Sequence, residues 1–141
     1  MTPELSVVSD HSTTEHRARI LDLLRKFNRQ TAGSPDEVPL AILLRDAHGE
    51  VIGGLHAVSA YDWLIVELVF VPKAMRGKGY GATLIAHAEE VARARGCFGV
   101  WLDTFSFQAR GFYERLGYAV FGTVEDHPVG GARYFMKKTL R

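Results

Sequence analysis

Apolar positions along the chain change their spacing several times, and each change marks an element. Leu5 to Val8 alternates briefly and predicts a first strand. Ile20, Leu21, Leu24 and Phe27 then recur at helical spacing, so residues 12 to 30 read as an amphipathic helix. Ser12-Thr13-Thr14-Glu15 at its start fits a capping box. Leu40 to Leu44 and Val51 to Ser59 read as strands around an Asp46-Ala47-His48-Gly49 turn. Gly53-Gly54 inside the second of them signals a bulge or a close backbone approach. Trp63 to Val71 is a nearly unbroken apolar stretch. Ala82 to Arg95 returns to helical spacing, with Leu84, Ile85, Ala88, Val91 and Ala92 on one face and a Glu89–Arg93 pair outside. Gly96 ends that helix. Phe98 to Asp103 follows as a strand that the intervening helix sets parallel to Trp63–Val71. A short helix from Phe107 to Leu116 and strands at Tyr118–Thr123 and Ala132–Lys138 complete the chain. Loops fall at Thr31–Pro39 and Val124–Gly131.

The Trp63–Val71 strand sets Leu64, Val66, Leu68 and Phe70 on one face and Trp63, Ile65, Val69 and Val71 on the other. It is expected mid-sheet, covered on both sides. Glu67 is the exception on it. A buried carboxylate is costly unless it is paired, bound or shuttling protons. If the Tyr61-Asp62 turn is symmetric, residues whose numbers sum to 123 face each other, which sets His56 opposite Glu67. A one-residue slip would put His56 on the other face. A structural Glu67 ion pair and a catalytic one both fit.

Composition narrows the function classes. A chain of 141 residues, 47% hydrophobic and 23% charged, is one soluble domain by length, residues 1–141. A net charge of +1 gives no electrostatic case for a nucleic-acid binder. The single cysteine, Cys97, excludes an internal disulfide and a cysteine zinc cluster, and no metal site is expected. Met1 to Asp10 lacks a basic stretch followed by an apolar core, so no export signal is expected. The longest apolar stretch is too short to span a membrane. A cytoplasmic protein is the expectation.

Between Trp63–Val71 and the helix at Ala82 lies Pro72-Lys73-Ala74-Met75-Arg76-Gly77-Lys78-Gly79-Tyr80-Gly81. A strand, a glycine-rich basic turn and a helix start can bind phosphate through backbone N–H groups and the helix dipole. Gly77-Lys78 is followed by Gly79, where a P-loop needs Ser or Thr, and the glycine spacing departs from the dinucleotide fingerprint. Arg76, Gly79 and Gly81 form Arg-x-x-Gly-x-Gly instead. This stretch resembles the acyl-CoA pyrophosphate loop of the GNAT superfamily of N-acyltransferases. Residues 104 to 118 add a second likeness, to the family's Asn-x-x-Ala-x-x-x-Tyr-Glu-Lys-Leu-Gly-Phe segment. Ala109, Tyr113, Glu114, Leu116 and Gly117 match it, and Ser106 stands where the family has Asn.

The resemblance implies an α/β (α+β) single domain: a central mixed, mostly antiparallel sheet of about six to seven strands with helices on both faces. It implies acetyl-CoA as acyl donor, no metal, and direct transfer to an amine. Arg76, Gly77, Lys78, Gly79, Tyr80 and Gly81 would hold the pyrophosphate. A backbone N–H around Val69, Phe70 and Val71 would meet the oxyanion, and the amide-rich arm would pair where strands 63–71 and 98–103 splay. Ser106, at the family's Asn position, would bond that arm differently, or the contact would be lost. Tyr113 would protonate the leaving thiolate, and Glu67, with His56 as helper or rival, would take the amine's proton. A silent acyl-CoA sensor and a nucleotide-binding domain remain as alternatives. The acceptor is left open. The acids Asp36, Glu37, Glu125 and Asp126 in the loops suit a cationic amine or plain solvation, and an exposed last strand would suit a homodimer.

Overall fold

The computed structural model describes residues 2–141, which divide into two compact units meeting in sequence at Pro35 and Asp36. In the first, a 3-10 turn at His11–Thr13 leads into α1, Thr14–Ala32. The expected capping box does not form. Asp10 accepts from the Ser12 backbone N–H at 2.8 Å, while Thr13 at the N-cap makes no side-chain cap bond. A carboxylate two residues upstream has taken the work assigned to Ser12. The expected strand at Leu5–Val8 is also absent, since no partner strand supplies its hydrogen bonds; Ser6 and Val8 instead line a groove with Ile20, Leu21 and Leu24.

The second unit is built on a six-stranded sheet. Its strands are β1 Val38–Arg45, β2 Val51–Ala60, β3 Trp63–Phe70, β4 Gly99–Phe105, β5 Ala119–Glu125 and β6 Ala132–Thr139. They lie in the order β1-β2-β3-β4-β6-β5, and only β3 and β4 run parallel among the pairs described. That pair is joined by α2, Tyr80–Ala94. A short α3, Arg110–Arg115, precedes β5. The expected dimer edge needs correcting: the last strand, β6, is interior, paired on both sides, and the sheet edges are β1 and β5.

Each turn follows from its residues. Tyr61 and Asp62 both have positive φ (47° and 71°), the two-residue turn whose twist matches paired strands. Gly53 and Gly54 mark the expected close approach. A Cβ on Gly53 would stand 2.5 Å from the Phe70 carbonyl oxygen, and one on Gly54 would collide with that of Ile42. Gly96, at φ 77°, ends α2, with Cys97 N–H donating to Ala92 O at 2.9 Å.

The core lies between α2, α3 and one face of this sheet. Leu55, Ala57, Leu64, Val66, Val100, Leu102 and Met136 supply the sheet side, and Leu84, Ile85, Ala88 and Ala92 the α2 side. Cys97 is buried beside them, as expected of a small apolar residue. Glu89 corrects the expected surface pair with Arg93. It is buried on the α2 stripe, where its carboxylate accepts from the Tyr118 hydroxyl at 2.8 Å and Lys138 Nζ at 3.0 Å. A buried carboxylate persists because both partners reach it. Among the described residues no helix is long and apolar enough to cross a membrane.

Candidate active site

One extra residue shapes the centre of the sheet. The 123 register holds from Ala60↔Trp63 to Ala57↔Val66; His56 then pairs with Leu68, leaving Glu67 unmatched in a β-bulge. The bulge breaks the alternation expected for β3. Leu64 and Val66 are buried as expected, but Leu68 and Phe70 are 69% and 57% exposed, and Val69 and Val71 turn toward the core. The reading of β3 as covered on both faces therefore fails past Val66.

The same bulge coincides with the end of the β3–β4 ladder. Trp63↔Gly99 through Val66↔Leu102 are paired; beyond them β3 runs on to Phe70 and β4 to Phe105 without pairing to each other. This is the expected splay. It leaves a slot between residues 67–70 of β3 and 103–105 of β4, which do not pair with each other.

On the α2 side of the slot lies the glycine turn. Gly77 and Gly79 have φ of 75° and 85°, and a Cβ on either would meet nothing within 4 Å, so the turn is open to a ligand. Gly79 is the N-cap of α2, and no side chain caps the helix start. Its first N–H groups therefore face outward as donors at the positive end of the dipole. Arg76 Nε donates to Val71 O at 3.0 Å, fastening the turn to the end of β3. Lys78 and Tyr80 are exposed on the same turn. Gly81 differs from the other two glycines. Its φ is ordinary, and a Cβ there would come 3.1 Å from Cζ of Phe112, so it permits α3 to pack against α2.

Tyr113 sits on α3, 7% exposed, its ring edge-on to Phe112 and Tyr118. It shares the core cluster with Val69 and Val71, which brings it to the α2 side of the slot. Its hydroxyl takes part in no hydrogen bond among the described residues. Burial first, and then the Asp103 charge, hold its pKa above the ordinary tyrosine value. Ser106 Oγ accepts from Ala132 N–H at 3.0 Å, fixing the start of β6, and its own hydroxyl proton stays available to donate. The helix expected from Phe107 begins only at Arg110, because Gln108 and Thr104 side chains take the N–H groups of Phe105 and Ala109.

On the opposite side of the slot, His56 Nδ1 lies 2.8 Å from Glu67 Oε1. His56 alternates with buried Leu55 and Ala57, so both members of the pair face away from α2. Glu67 is not buried as expected; the two side chains are 45% and 48% exposed, and the bulge is what carries Glu67 outward. Asp103 alternates with buried Leu102 and Thr104, so it lies on this side too, and it accepts from Arg133 Nε at 2.8 Å.

The structure thus sets Val69–Val71, the Arg76–Gly81 turn and Tyr113 at one mouth of the slot and His56 with Glu67 at the other. Ser106 lies apart, tied to Ala132. Sequence reasoning missed Asp103 and Arg133. The signal available was Asp103 at the end of a strand pointing into the same splay. Of the loop acids, Asp126 folds back to accept from Gly130 N–H at 3.2 Å.

The profile of the Acetyltransferase (GNAT) family matches residues 6–118. The chain is 42% identical over 118 residues to Acetyltransferase Atu2258 of Agrobacterium fabrum, covering 84% of this chain and 86% of that one. It is 42% identical over 93 residues to the Blasticidin-S acetyltransferase of Streptomyces morookaense, covering 65% and 68%. Among solved structures, an acetyltransferase from Agrobacterium tumefaciens superposes with a TM-score of 0.89 at 38% identity, covering 99% of this chain and 100% of that one.

Proposed function

The chain belongs to the GNAT acetyltransferase family, and from that premise we propose that it moves an acetyl group from acetyl-CoA directly to a primary amine, as a single catalytic domain, 1–141, working in the cytoplasm. The observation that carries this is the slot: the β3–β4 ladder stops at Glu67, beside an uncapped glycine turn and opposite a paired carboxylate.

The residues fit the donor molecule. The open Gly77–Gly79 turn and the free donors of α2 suit a diphosphate, with Arg76 and Lys78 adding charge. The facing edges of β3 and β4, which part beyond Val66 and Leu102, suit an amide-rich arm lying in the slot. Tyr113 stands where that arm would end, and Ser106, held at the β6 end of the site through Ala132, keeps its hydroxyl proton to offer the arm.

The chemistry follows from this division. A primary amine has a pKa of about 10.4, so its neutral form costs roughly 4–5 kcal/mol at neutral pH. Glu67, steadied by His56, takes that proton directly or through water. The nitrogen attacks the thioester carbonyl carbon, and the carbonyl oxygen gains charge. A backbone N–H of Val69 to Val71 donates to it. The C–S bond then breaks as the oxyanion re-forms the carbonyl; Tyr113 gives its proton to the departing sulfur, the acylated nitrogen releases its second proton to water, and the phenolate regains a proton from solvent.

The test is thermal unfolding with acetyl-CoA, CoA and ATP, followed by thiol release with a panel of amines. A ligand at ~100 times its dissociation constant adds about 2.7 kcal/mol. Stabilisation by both CoA species with amine-dependent thiol release is expected. Stabilisation without release would make the domain a silent acyl-CoA sensor, and stabilisation by ATP alone would make it a nucleotide binder.

A further inference from the structure

The Asp103–Arg133 pair is left over from the reaction just described. It lies on the acceptor side of the slot, at the first β4 residue beyond the β3–β4 ladder. Arg133 is held from three directions. Its Nε donates to Asp103 Oδ1 at 2.8 Å, and its guanidinium carbon lies over the Phe105 and Phe135 rings, 5.3 Å from each centroid. Among the described residues its two terminal nitrogens make no hydrogen bond, and the side chain is one-third exposed.

A guanidinium has a side edge and an end edge, each able to place two parallel N–H bonds on a carboxylate. Here Asp103 takes the Nε–H of the side edge, aromatic rings lie on the flanks, and both terminal nitrogens of the end edge are free. The side chain's entropy is already spent by that packing, so a ligand meeting it orders little more.

We infer that the Arg133 end edge is an anion subsite of the acceptor pocket, and that the acceptor is an amine carrying a carboxylate. The inference rests on the acetyl-transfer reading above. It makes Arg133 a specificity-determining residue: the ammonium end goes to Glu67 and His56, and the carboxylate end to Arg133.

The test uses conjugates that need no knowledge of the natural acceptor. CoA sulfur is joined through –CH2–C(=O)– to the amine of glycine, β-alanine or the side chain of lysine. Each is paired with a carboxylate-free counterpart made from methylamine, ethylamine or 1,5-diaminopentane. Binding is measured by calorimetry on the whole chain. At least one carboxylated conjugate is expected to bind about tenfold or more tightly than its counterpart. Arg133→Met should erase that difference while leaving the affinity for CoA itself unchanged, and Arg133→Lys should restore only part of it. Equal binding within every pair in the unaltered protein overturns the inference without any substitution. So does a difference that survives Arg133→Met. Failure of CoA and all conjugates to bind would instead overturn the acetyl-transfer reading beneath it.

Discussion

The two halves of the β3–β4 pair make opposite use of the same kind of strand. From Trp63 to Val66 against Gly99 to Leu102 the ladder is closed, and its inward side chains are fully buried. From Glu67 to Phe70 against Asp103 to Phe105 the backbones diverge, and the outward side chains become polar or exposed. Hydrophobicity does not distinguish them, since Leu68, Val69 and Phe70 are as apolar as Leu64, Ile65 and Val66. One unmatched residue does. A bulge reverses the faces and turns a carboxylate outward where the β3–β4 ladder stops, so a closed half and an open half adjoin in one strand.

The largest effect expected is on the open half. Tyr113→Phe should lower kcat by about 10²-fold or more with little change in CoA affinity. Steady-state kinetics beside direct CoA titration would show it, and an unchanged kcat would remove the hydroxyl as proton donor. In the closed half, Leu64→Ala should cost about 2–5 kcal/mol in chemical unfolding while kcat at 25 °C is retained. A kinetic defect as large as the Tyr113 one would break the separation of the two halves. Glu67→Gln should reduce kcat/KM by roughly tenfold or more and flatten the ascending limb of the pH–rate profile, with unfolding free energy nearly unchanged. An unaltered profile would make the His56 pair structural.

A smaller effect links both halves to pH. Burial is the main cause holding both Tyr113 and Tyr118 above the ordinary tyrosine value; Glu89 adds to it at Tyr118. The folded chain thus keeps protons that the unfolded chain releases at about pH 10. Their stabilising effect is complete below that value and lost as pH rises past it. Urea unfolding between pH 8 and 11 should show stability falling in that window, and Tyr118→Phe should make the fall shallower. That substitution should also cost about 1–3 kcal/mol at neutral pH, because Glu89 keeps only Lys138.

The elements legible in the sequence were those governed by local chemistry. The Tyr61-Asp62 turn, the glycine turn and the Gly96 stop each depend on a few adjacent residues, and each formed where expected. The His56–Glu67 contact was legible because the hairpin register fixes it to within one residue. The bulge itself was hidden, since the residues on both sides of Glu67 are apolar and carry no alternation to betray a slip. Glu89 was misplaced for a related reason. Its spacing to Arg93 suggests a surface pair, yet it also stands four residues after Ile85 on the buried stripe. Its partners, Tyr118 and Lys138, come from distant strands that no local pattern connects. Asp103 and Arg133 likewise meet only through β4–β6 pairing.

The contact of Gly81 with Phe112 has a further meaning once a single donor molecule must engage both ends of the site. Its diphosphate would rest on the turn before α2 and its sulfur beside Tyr113, the residue next to Phe112. The span between those two points is fixed by how closely α3 settles against α2, and a hydrogen atom in place of a methyl sets that separation. On the proposed reading Gly81 would then act as a caliper, since a Cβ there would displace Phe112 by a few tenths of an ångström and change that span.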